Sequence, residues 1–343
     1  MKIAVDAMGG DYAPREIVKG ALEAASAYDL SVILVGDEAQ VRREMADNNM
    51  AGGRVEVVHA PDVIGMAEQP AVAVRRKKDS SIVVATRLVR EGQADALVSA
   101  GSTGAAMAAA LLGLGRIKGI DRPAIAGVLP SEKGFTVLLD VGANIDCKPQ
   151  HLLQFGMMGY LYARKILGLE NPMVGLLSNG EEPTKGNEAT LAAFPLLHNA
   201  GINFYGNVEG RDIFRGTVDV VVCDGFVGNI VLKASEGLAQ VLFKMMKEEI
   251  AKNWAARFST ALAGPALKGF QKRLDYAEYG GFPLLGVNGV SIISHGSSTA
   301  LAIKNAIRVA RESVENQLLN AIRESVESMD VKGGDRDGVQ GIH

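Results

Sequence analysis

The sequence predicts an α/β protein, a doubly wound three-layer α/β/α sandwich with a protruding helical pair. Short apolar runs that end at Gly, Asp or Pro alternate along the chain with longer stretches of helical period, which is the pattern of parallel βα units. Several of these runs are apolar on both faces, as is typical of strands covered by helices on both sides. The 343 residues include 40 glycines and only 5% aromatic side chains, a composition that suits closely packed βα units joined by tight turns.

The pattern predicts strands and helices in alternation. The predicted strands are 3–7, 32–36, 55–59, 96–100, 124–129, 136–140, 174–178, 203–206, 218–223 and 291–295. The clearest predicted helices are 15–28, 149–167, 187–198 and 297–328. A long helical stretch at 241–274 has no strand after it until about Pro283, which predicts the protrusion. We expect one catalytic domain over residues 1–328, with the protrusion at 241–282 inside it, and a flexible polar tail at 329–343.

Charge and cysteine content exclude several classes of protein. The net charge of −3 gives no sign of nucleic-acid binding. Cys147 and Cys223 are the only cysteines, which excludes a disulfide framework and favours buried thiols in a reducing compartment. The five histidines have no metal-ligand spacing, so no metal site is expected. The chain starts directly in a strand and contains no uninterrupted apolar run of roughly 18 residues, so we expect a cytoplasmic protein.

Six predicted strands end in turns rich in glycine and small polar residues. The ligand crevice of a doubly wound sheet lies past the carboxyl ends of its strands, so we expect these turns to meet at one site. Glycine lets the backbone approach an oxyanion closely, and free N–H groups at a helix N-terminus favour negative charge. The predicted substrate-binding residues are Gly9, Gly10, Asp11, Gly101, Ser102, Thr103, Gly104, Asp140, Asn144, Asn187, Gly228, Gly296, Ser297 and Ser298. A competing interpretation is that the Ser, Thr and Asn side chains only cap helices.

The turns match no standard nucleotide or hydrolase motif. There is no G-x-x-x-x-G-K-[ST], no G-x-G-x-x-G after the first strand and no G-x-S-x-G elbow. Neither cysteine has a neighbouring residue in the sequence that would activate it as a nucleophile. The chain is therefore better equipped to position an anion than to form a covalent intermediate.

Nine blocks of sequence, in order along the chain, resemble the bacterial phosphate acyltransferase family, the acyl-carrier-protein:phosphate acyltransferases of phospholipid synthesis. The blocks start with IAVDAMGGD and include DGFVGN; they cover 3–11, 75–81, 99–105, 115–123, 139–144, 185–188, 224–229, 279–281 and 295–298. Two positions depart from the family pattern: Ser102 stands where Asn is common, and Pro183 lies inside the loop before Lys185. The blocks reach from the first residues to about Ser298, so the resemblance covers nearly the whole chain.

The resemblance implies a fold similar to the phosphate acetyltransferases and the isopropylmalate dehydrogenase group. It also implies a homodimer that uses no metal and no nicotinamide cofactor. The implied reaction transfers a long-chain fatty acyl group from acyl carrier protein to inorganic phosphate. The acyl phosphate product would then feed a membrane acyltransferase that acylates glycerol 3-phosphate.

The implied chemistry suits residues that position an anion. Near pH 7 phosphate is largely a dianion and already nucleophilic, and the leaving thiolate comes from a thiol with a pKa of roughly 8.5. What remains is to hold two negative species together and to stabilise the tetrahedral oxyanion. We expect Lys185 to neutralise phosphate and the developing charge, and Asn229 to donate to the thioester oxygen. The turns at 101–104 and 296–298 would cradle the phosphate.

Three further polar residues have supporting roles in this hypothesis. Asp140 and Asn144 are expected to orient their neighbours rather than to touch the reacting atoms. For His295 two interpretations stay open: a proton donor to the sulfur, or a structural residue at the end of the last strand.

Two surfaces are candidates for larger partners. Arg75, Arg76, Lys77 and Lys78 form the densest basic run and are predicted to meet the acidic carrier protein; the alternative is a solvated face. Trp254, Phe258 and Leu262 follow one another at i, i+4 in the protrusion. Basic residues flank this apolar stripe, so it is predicted to touch anionic lipid, with a dimer contact, a carrier-protein contact or plain core as alternatives.

Three rival functions stay open at this stage. A phosphate acetyltransferase would use coenzyme A in place of the carrier protein. An NAD-dependent decarboxylating dehydrogenase on the same fold would need a cluster of aspartates for a divalent metal, and the sequence shows none. A non-catalytic scaffold for carrier protein or lipid would bind without turnover.

Overall fold

A computed structural model describes residues 1–48, 54–252, 269 and 279–337. Its strands are β1 (Lys2–Asp6), β2 (Ser31–Gly36), β3 (Val55–His59), β4 (Ala96–Ser99), β5 (Ala124–Ser131), β6 (Gly134–Leu139), β7 (Val174–Leu177), β8 (Phe204–Val208), β9 (Val220–Val222), β10 (Phe282–Leu285) and β11 (Val290–Ile293). The helices of the described residues are α1 (Arg15–Tyr28), α2 (Glu38–Asp47), α3 (Pro70–Arg76), α4 (Ser81–Arg90), α5 (Thr103–Gly113), α6 (Pro149–Lys165), α7 (Glu188–His198), α8 (Gly210–Arg215), α9 (Gly225–Lys252), α10 (Ala300–Glu315) and α11 (Leu318–Asp337).

The strands form one sheet in the order β3-β2-β1-β4-β11-β10-β5-β6-β9-β7-β8. Strands β3, β2, β1, β4 and β11 are parallel, and so are β6, β9, β7 and β8. Strand β10 is antiparallel to both β11 and β5, and β5 is antiparallel to β6. The second parallel group therefore runs opposite to the first.

Helices cover both faces of the sheet, which confirms the predicted three-layer sandwich. One face packs against α4, α5, α8 and α9 through buried residues such as Leu97, Leu138 and Leu232. The other face packs against α1 and α10 over the first strand group and against α6, α7 and α11 over the second. The inner strands, such as β4 and β9, are buried on both sides, so their sequences are apolar at successive positions rather than alternating.

The reversal between the two strand groups corrects the expectation of a single crevice. The carboxyl ends of β1, β4 and β11 lie at one edge of the sheet, and those of β6, β7 and β9 lie at the other. Helix α9 connects the two edges because it starts directly after β9 and passes over the sheet toward the turn after β11. The polar turns therefore fall into two groups that α9 links.

Two other elements differ from the sequence prediction. Strand β10 was anticipated only as a strand starting at about Pro283 and was given no bounds, since proline normally argues against an inner strand. The single helix predicted at 297–328 is divided at Gln317, whose φ of 53° is left-handed. Helix α11 then extends to Asp337, into the segment predicted as a polar tail, which contains no proline. Trp254, Phe258 and Leu262 lie outside the described residues.

Candidate active site

A buried carboxylate organises the turn after β6. Asp140 is fully buried, and its side chain accepts hydrogen bonds from the backbone N–H groups of Ile125, Gly142, Ala143 and Asn144 at 2.8–3.1 Å. The Asn144 amide donates to the same carboxylate at 2.9 Å and to the Pro123 carbonyl at 2.7 Å. Burial raises the pKa of Asp140, while these donors act in the opposite direction. Asp140 and Asn144 thus hold the turn in shape.

The first turn of α9 sits directly on this turn. The Gly225 N–H donates to the Asn144 carbonyl at 2.7 Å, and a Cβ at Gly225 would lie 2.7 Å from that oxygen. A Cβ at Gly228 would overlap the Asp140 carbonyl oxygen. Only glycine at these two positions lets the helix approach so closely, so the DGFVGN motif fixes where α9 begins.

Helix α9 carries polar side chains from one strand group to the other. Asn229, Lys233 and Glu236 are spaced at i, i+4 and i+7, so they share one side of the helix. Asn229 packs against Gly142 of the turn after β6. Lys233 Nζ lies 3.2 Å from His295 Nε2 and 2.8 Å from a Glu236 carboxylate oxygen. Lys233 therefore places a cation beside the turn that follows β11.

Both ring nitrogens of His295 are engaged. An ammonium group only donates, so Nε2 accepts from Lys233, and Nδ1 lies 2.8 Å from the Ser297 hydroxyl. These contacts favour the structural interpretation of His295 over a proton donor to sulfur.

The turns after β1, β4 and β11 are packed together. Ser99 donates to the buried carboxylate of Asp6 at 2.7 Å and accepts from the Gly101 N–H at 3.1 Å. A Cβ at Gly9 would lie 2.7 Å from the Gly101 nitrogen, and the Asp11 N–H donates to the Gly296 carbonyl at 2.8 Å. The predicted turns at Gly9–Asp11, 101–104 and 296–298 therefore do meet.

The N-termini of α5 and α10 at this cluster differ in their partners. The backbone N–H groups of Ser102, Thr103 and Gly104 make no hydrogen bond to another residue of the described chain. The first N–H of α10, at Ala300, instead donates to the Glu16 carboxylate at 2.8 Å. Because α5 has the open N-terminus, it offers the better place for an anion.

Several predicted substrate-binding side chains make local structural hydrogen bonds. Ser102 accepts from the Ala105 N–H at 3.4 Å, and Asn187 accepts from the Thr190 N–H at 2.9 Å, so both are helix N-caps. Ser298 is buried and donates to the His295 carbonyl at 2.6 Å. The capping interpretation therefore describes Ser102 and Asn187, Ser298 makes a local hydrogen bond within its turn, and Thr103 is exposed.

Lys185 belongs to the second strand group. It is exposed in the loop after β7, where Asn207 donates to the carbonyls of Glu182 at 2.8 Å and Lys185 at 3.4 Å. Strand β7 is the parallel neighbour of β9, so Lys185 and Asn229 follow adjacent strand ends. No hydrogen bond or ion pair of the described residues joins Lys185 to the Gly101 or Gly296 turns.

The two cysteines lie behind the turn after β6. Cys223 Sγ is 3.5 Å from the Asp140 carbonyl, and burial raises the pKa of this thiol. Burial and the nearby Asp140 raise the pKa of Cys147 to about 12. Both groups are therefore protonated at neutral pH and poorly suited to act as nucleophiles.

An acidic cluster includes Glu181, which lies in the same loop as Lys185. Oxygens of Glu181, Glu209 and Asp212 lie within 4.8 Å of one another. Arg211 is 2.6 Å from Glu209 and 3.5 Å from Glu181, and Asp212 accepts from the Glu209 N–H at 2.8 Å. These acids thus have protein partners, and the arrangement gives no specific support for a metal.

The basic run lies next to the α5 N-terminus. Pro70 begins α3, and its Cγ lies 2.6 Å from the position that a Cβ of Gly104 would take. Arg75, Arg76 and Lys78 are exposed and make no ion pair with the described residues, whereas Lys77 is paired with Glu68 at 2.7 Å. Three of the four predicted cations are therefore available to a partner.

An apolar cleft opens beside His295. It lies between α9 and the ends of β5 and β11 and has a volume of about 1260 Å³. Sequence patterns did not predict it, since its walls come from distant segments. Its lining includes Val128, Leu129, Phe214, Leu238, Ala239, Leu242, Phe243, Met246, Ser294, His295 and Ser298.

Lys233 is the site residue that sequence reasoning missed. It lies inside a helix rather than in a turn, so it falls outside the strand-end rule. The available signal was its position four residues after Asn229, which places both on one helix face.

A family model and full-length relatives match nearly the whole chain. A family model described as fatty acid synthesis protein matches residues 1–321. A phosphate acyltransferase of Pelotomaculum thermopropionicum is 75% identical over 342 residues, covering 100% of both chains. A phosphate acyltransferase of Desulforamulus reducens is 57% identical over 332 residues, covering 96% of this chain and 98% of that protein.

Solved structures with little sequence identity share the fold. A phosphotransacetylase from Streptococcus pyogenes has a TM-score of 0.61 at 18% identity, covering 92% of this chain and 94% of that one. The EutD phosphotransacetylase from Staphylococcus aureus has a TM-score of 0.60 at 16% identity, with the same coverage. A 4-hydroxythreonine-4-phosphate dehydrogenase from Klebsiella pneumoniae reaches 0.52 at 17% identity, covering 92% and 98%. These likenesses confirm the predicted fold.

Proposed function

As the chain belongs to the phosphate acyltransferase family, it is an enzyme that transfers an acyl group to phosphate, and we propose that acyl carrier protein delivers the acyl group as a long-chain thioester. The observation that carries the proposal is the contact of Lys233 with His295. It brings a cation from α9 to the cluster of glycine turns. The open N–H groups of α5 and the Lys233 cation offer positive charge to an anion here, while the pKa values of both thiols are raised.

Phosphate is held, in this proposal, between the open N-terminus of α5 and Lys233. The N–H groups of Ser102, Thr103 and Gly104 point along the helix dipole and favour a dianion. Lys233 supplies a positive charge that is ion-paired with Glu236. Lys185 belongs to the loop after β7, at the other edge of the sheet, and this loop has to close toward α9 for Lys185 to share the developing charge. No metal or cofactor enters this mechanism.

The reaction is a direct displacement at the thioester carbon. A phosphate oxygen attacks the carbonyl carbon, and a tetrahedral oxyanion forms, which Asn229 and Lys185 stabilise. The C–S bond then breaks, and the proton of monohydrogen phosphate passes to the departing sulfur. The products are acyl phosphate and the free thiol of the carrier. Lys233 and His295 fix each other's position at the start of this path.

The donor docks, in this proposal, on the surface around α3. Arg75, Arg76 and Lys78 offer exposed positive charge to an acidic carrier. Exposed Met66 and Val72 lie beside these cations, and Met66 also reaches the Gly296 turn. A carrier bound here would have its prosthetic thioester close to the glycine turns. The acyl phosphate would then serve a membrane acyltransferase acting on glycerol 3-phosphate.

Helix α9 supports a proposed homodimer. Phe226, Ile230, Val241 and Met245 are exposed on it, and a second copy of the chain would cover this apolar side. Multi-angle light scattering tests this: we expect twice the chain mass for the wild type and a single chain mass for Val241→Glu plus Met245→Glu. A monomeric wild type would contradict the dimer.

The protrusion supports a proposed lipid contact. By length and composition alone, α9 is the one helix of the described residues that could cross a membrane, but its first two turns pack on the sheet through Leu232. Peripheral contact through Trp254 and Leu262 is the narrower proposal. Liposome co-sedimentation tests it: absence of binding, or binding unchanged by Trp254→Glu plus Leu262→Glu, would refute it.

Mass spectrometry of the product tests the function itself. Hexadecanoyl carrier protein or hexadecanoyl-CoA is incubated with phosphate and the enzyme. We expect hexadecanoyl phosphate from the carrier-protein donor at a much higher kcat/KM. Product from CoA alone would make the chain a CoA-dependent acyltransferase, and no product from either donor would refute acyl transfer.

A further inference from the structure

The cleft beside His295 is chemically different at its two ends. At the end near the glycine turns, Ser294, His295 and Ser298 contribute polar groups. Along the rest of its length the walls are mainly apolar, with Val128 and Leu242 as examples. A ligand that fits both ends has a polar head and a long apolar tail.

One polar atom at the head end lacks a partner within the described chain. The Ser294 side chain is 3% exposed, lines the cleft, and its hydroxyl has no hydrogen-bond partner among the described residues. A buried hydroxyl without a partner costs free energy, on the order of 1–3 kcal/mol. A ligand group in the cleft would supply the missing hydrogen bond.

The dimensions suit one long hydrocarbon chain. Residues 231–248 of α9 contribute to the wall, which corresponds to roughly 25 Å of helix at about 1.5 Å per residue. Two opposed acyl chains fill the ~30 Å hydrocarbon core of a bilayer, so one chain needs about half of that. The volume of about 1260 Å³ exceeds the range of roughly 300–1,000 Å³ for small-ligand pockets.

We propose that this cleft binds the fatty acyl chain of the donor, with the thioester at Ser294 and His295 and the tail along α9, and that Ala239 limits the chain length. This inference rests on the proposed function and adds the location of the chain and the residue that selects for length. Continuity supports it, because His295 belongs both to the cleft and to the turn that Lys233 contacts. Ala239 lines the cleft about one helical turn beyond Ser235 and has the smallest side chain on that stretch of wall next to Leu238 and Leu242.

Chain-length selectivity of Ala239→Trp tests the proposal. The measured quantity is the ratio of kcat/KM for hexadecanoyl over octanoyl carrier protein. We expect Ala239→Trp to lower this ratio at least about tenfold, since the indole would fill the path of the distal carbons. Ala251→Trp is the matched control: Ala251 is exposed on the same helix and does not line the cleft, so its ratio should equal that of the wild type.

Leu238→Glu is a second variant for the same ratio, and its effect does not depend on inserting a large side chain into the cleft. Leu238 lines the cleft but is 61% exposed, so a charge there is compatible with folding and should also lower the ratio. Val241→Glu plus Met245→Glu, on the proposed dimer side of α9 and outside the cleft lining, should leave the ratio unchanged and so separates this effect from loss of the dimer. Leu191→Glu, on exposed α7 surface, is its control. An unchanged ratio in both cleft variants would overturn the proposal. Acyl phosphate formed by the wild type in the same assays would show that the proposed function itself still holds.

Discussion

Lys233 Nζ lies 3.2 Å from His295 Nε2, and this contact joins the two oppositely directed halves of the sheet. Lys233 belongs to the helix that starts on the Asp140 turn, and His295 lies in the turn after β11, the last strand of the other half. The cation therefore lies where the phosphate, the thioester and the acyl chain are proposed to meet.

Removing the Lys233 cation should slow the reaction. We expect Lys233→Met to lower kcat with phosphate by about 10²-fold or more, comparable with the loss of one group that stabilises a developing oxyanion. Lys233→Arg should recover part of the rate, because it keeps the charge. Steady-state acyl phosphate formation measures both. Lys252→Met, an exposed lysine at the end of α9 that does not line the cleft, is the control, and equal losses in the two Met variants would contradict the assignment.

Lys185 and Asn229 are expected to act on the developing charge. Lys185→Ala and Asn229→Ala should each lower turnover by a factor of about 10²–10³. The residues follow adjacent strand ends, so a combined variant should lose less than the product of the two single effects. Retention of more than about half of the wild-type turnover by both single variants would refute their role.

The contact between the first turn of α9 and the turn after β6 should tolerate no side chain at position 228. Because a Cβ there overlaps the Asp140 carbonyl oxygen, we expect Gly228→Ala to lower the free energy of unfolding by about 1–3 kcal/mol. Gly237 lies on the same helix with nothing within 4 Å of its Cβ position. Gly237→Ala should therefore raise the free energy of unfolding by about 0.5–1 kcal/mol. Urea denaturation measures both free energies of unfolding. Changes of the same sign in the two variants would contradict the close contact between α9 and the Asp140 turn.

Asp6 should make stability depend on pH. Burial raises its pKa in the native state, against the opposing effect of hydrogen bonds such as that from Ser99. The native state therefore holds the proton more tightly than the unfolded chain. Relative to Asp6→Asn, the wild type should lose stability as pH rises from about 3.9 through the raised native pKa, and the difference should then level off. Parallel stability curves for the two proteins between about pH 4 and pH 8 would contradict this.

Local sequence patterns predict much of this fold, but not the direction of its second half. Alternating apolar and helical stretches give bounds for every strand of the described sheet except β10, which contains Pro283. The antiparallel pairs that reverse the sheet join residues far apart in the chain, such as Leu284 and Ile125. Such pairings depend on tertiary packing rather than on local periodicity. The sequence therefore predicts one crevice at the carboxyl ends of parallel strands and not the reversal of the second strand group.

The candidate site shows the same division. Turn composition points to Gly101 and Gly296, whose turns both pack against the turn after β1. It cannot separate a ligand group from a helix cap, and Ser102 and Asn187 turn out to be caps. Lys233 is missed because only the path of α9 over the sheet brings it to His295.

Phosphate-dependent release of the carrier thiol tests direct attack most sharply. Enzyme in excess is mixed with hexadecanoyl carrier protein without phosphate, and the free thiol and the intact mass of the enzyme are measured. Phosphate is then added. Direct attack predicts an unmodified enzyme and no thiol release until phosphate arrives, followed by equal amounts of thiol and acyl phosphate. Thiol release without phosphate, together with an enzyme heavier by one acyl group, would contradict it.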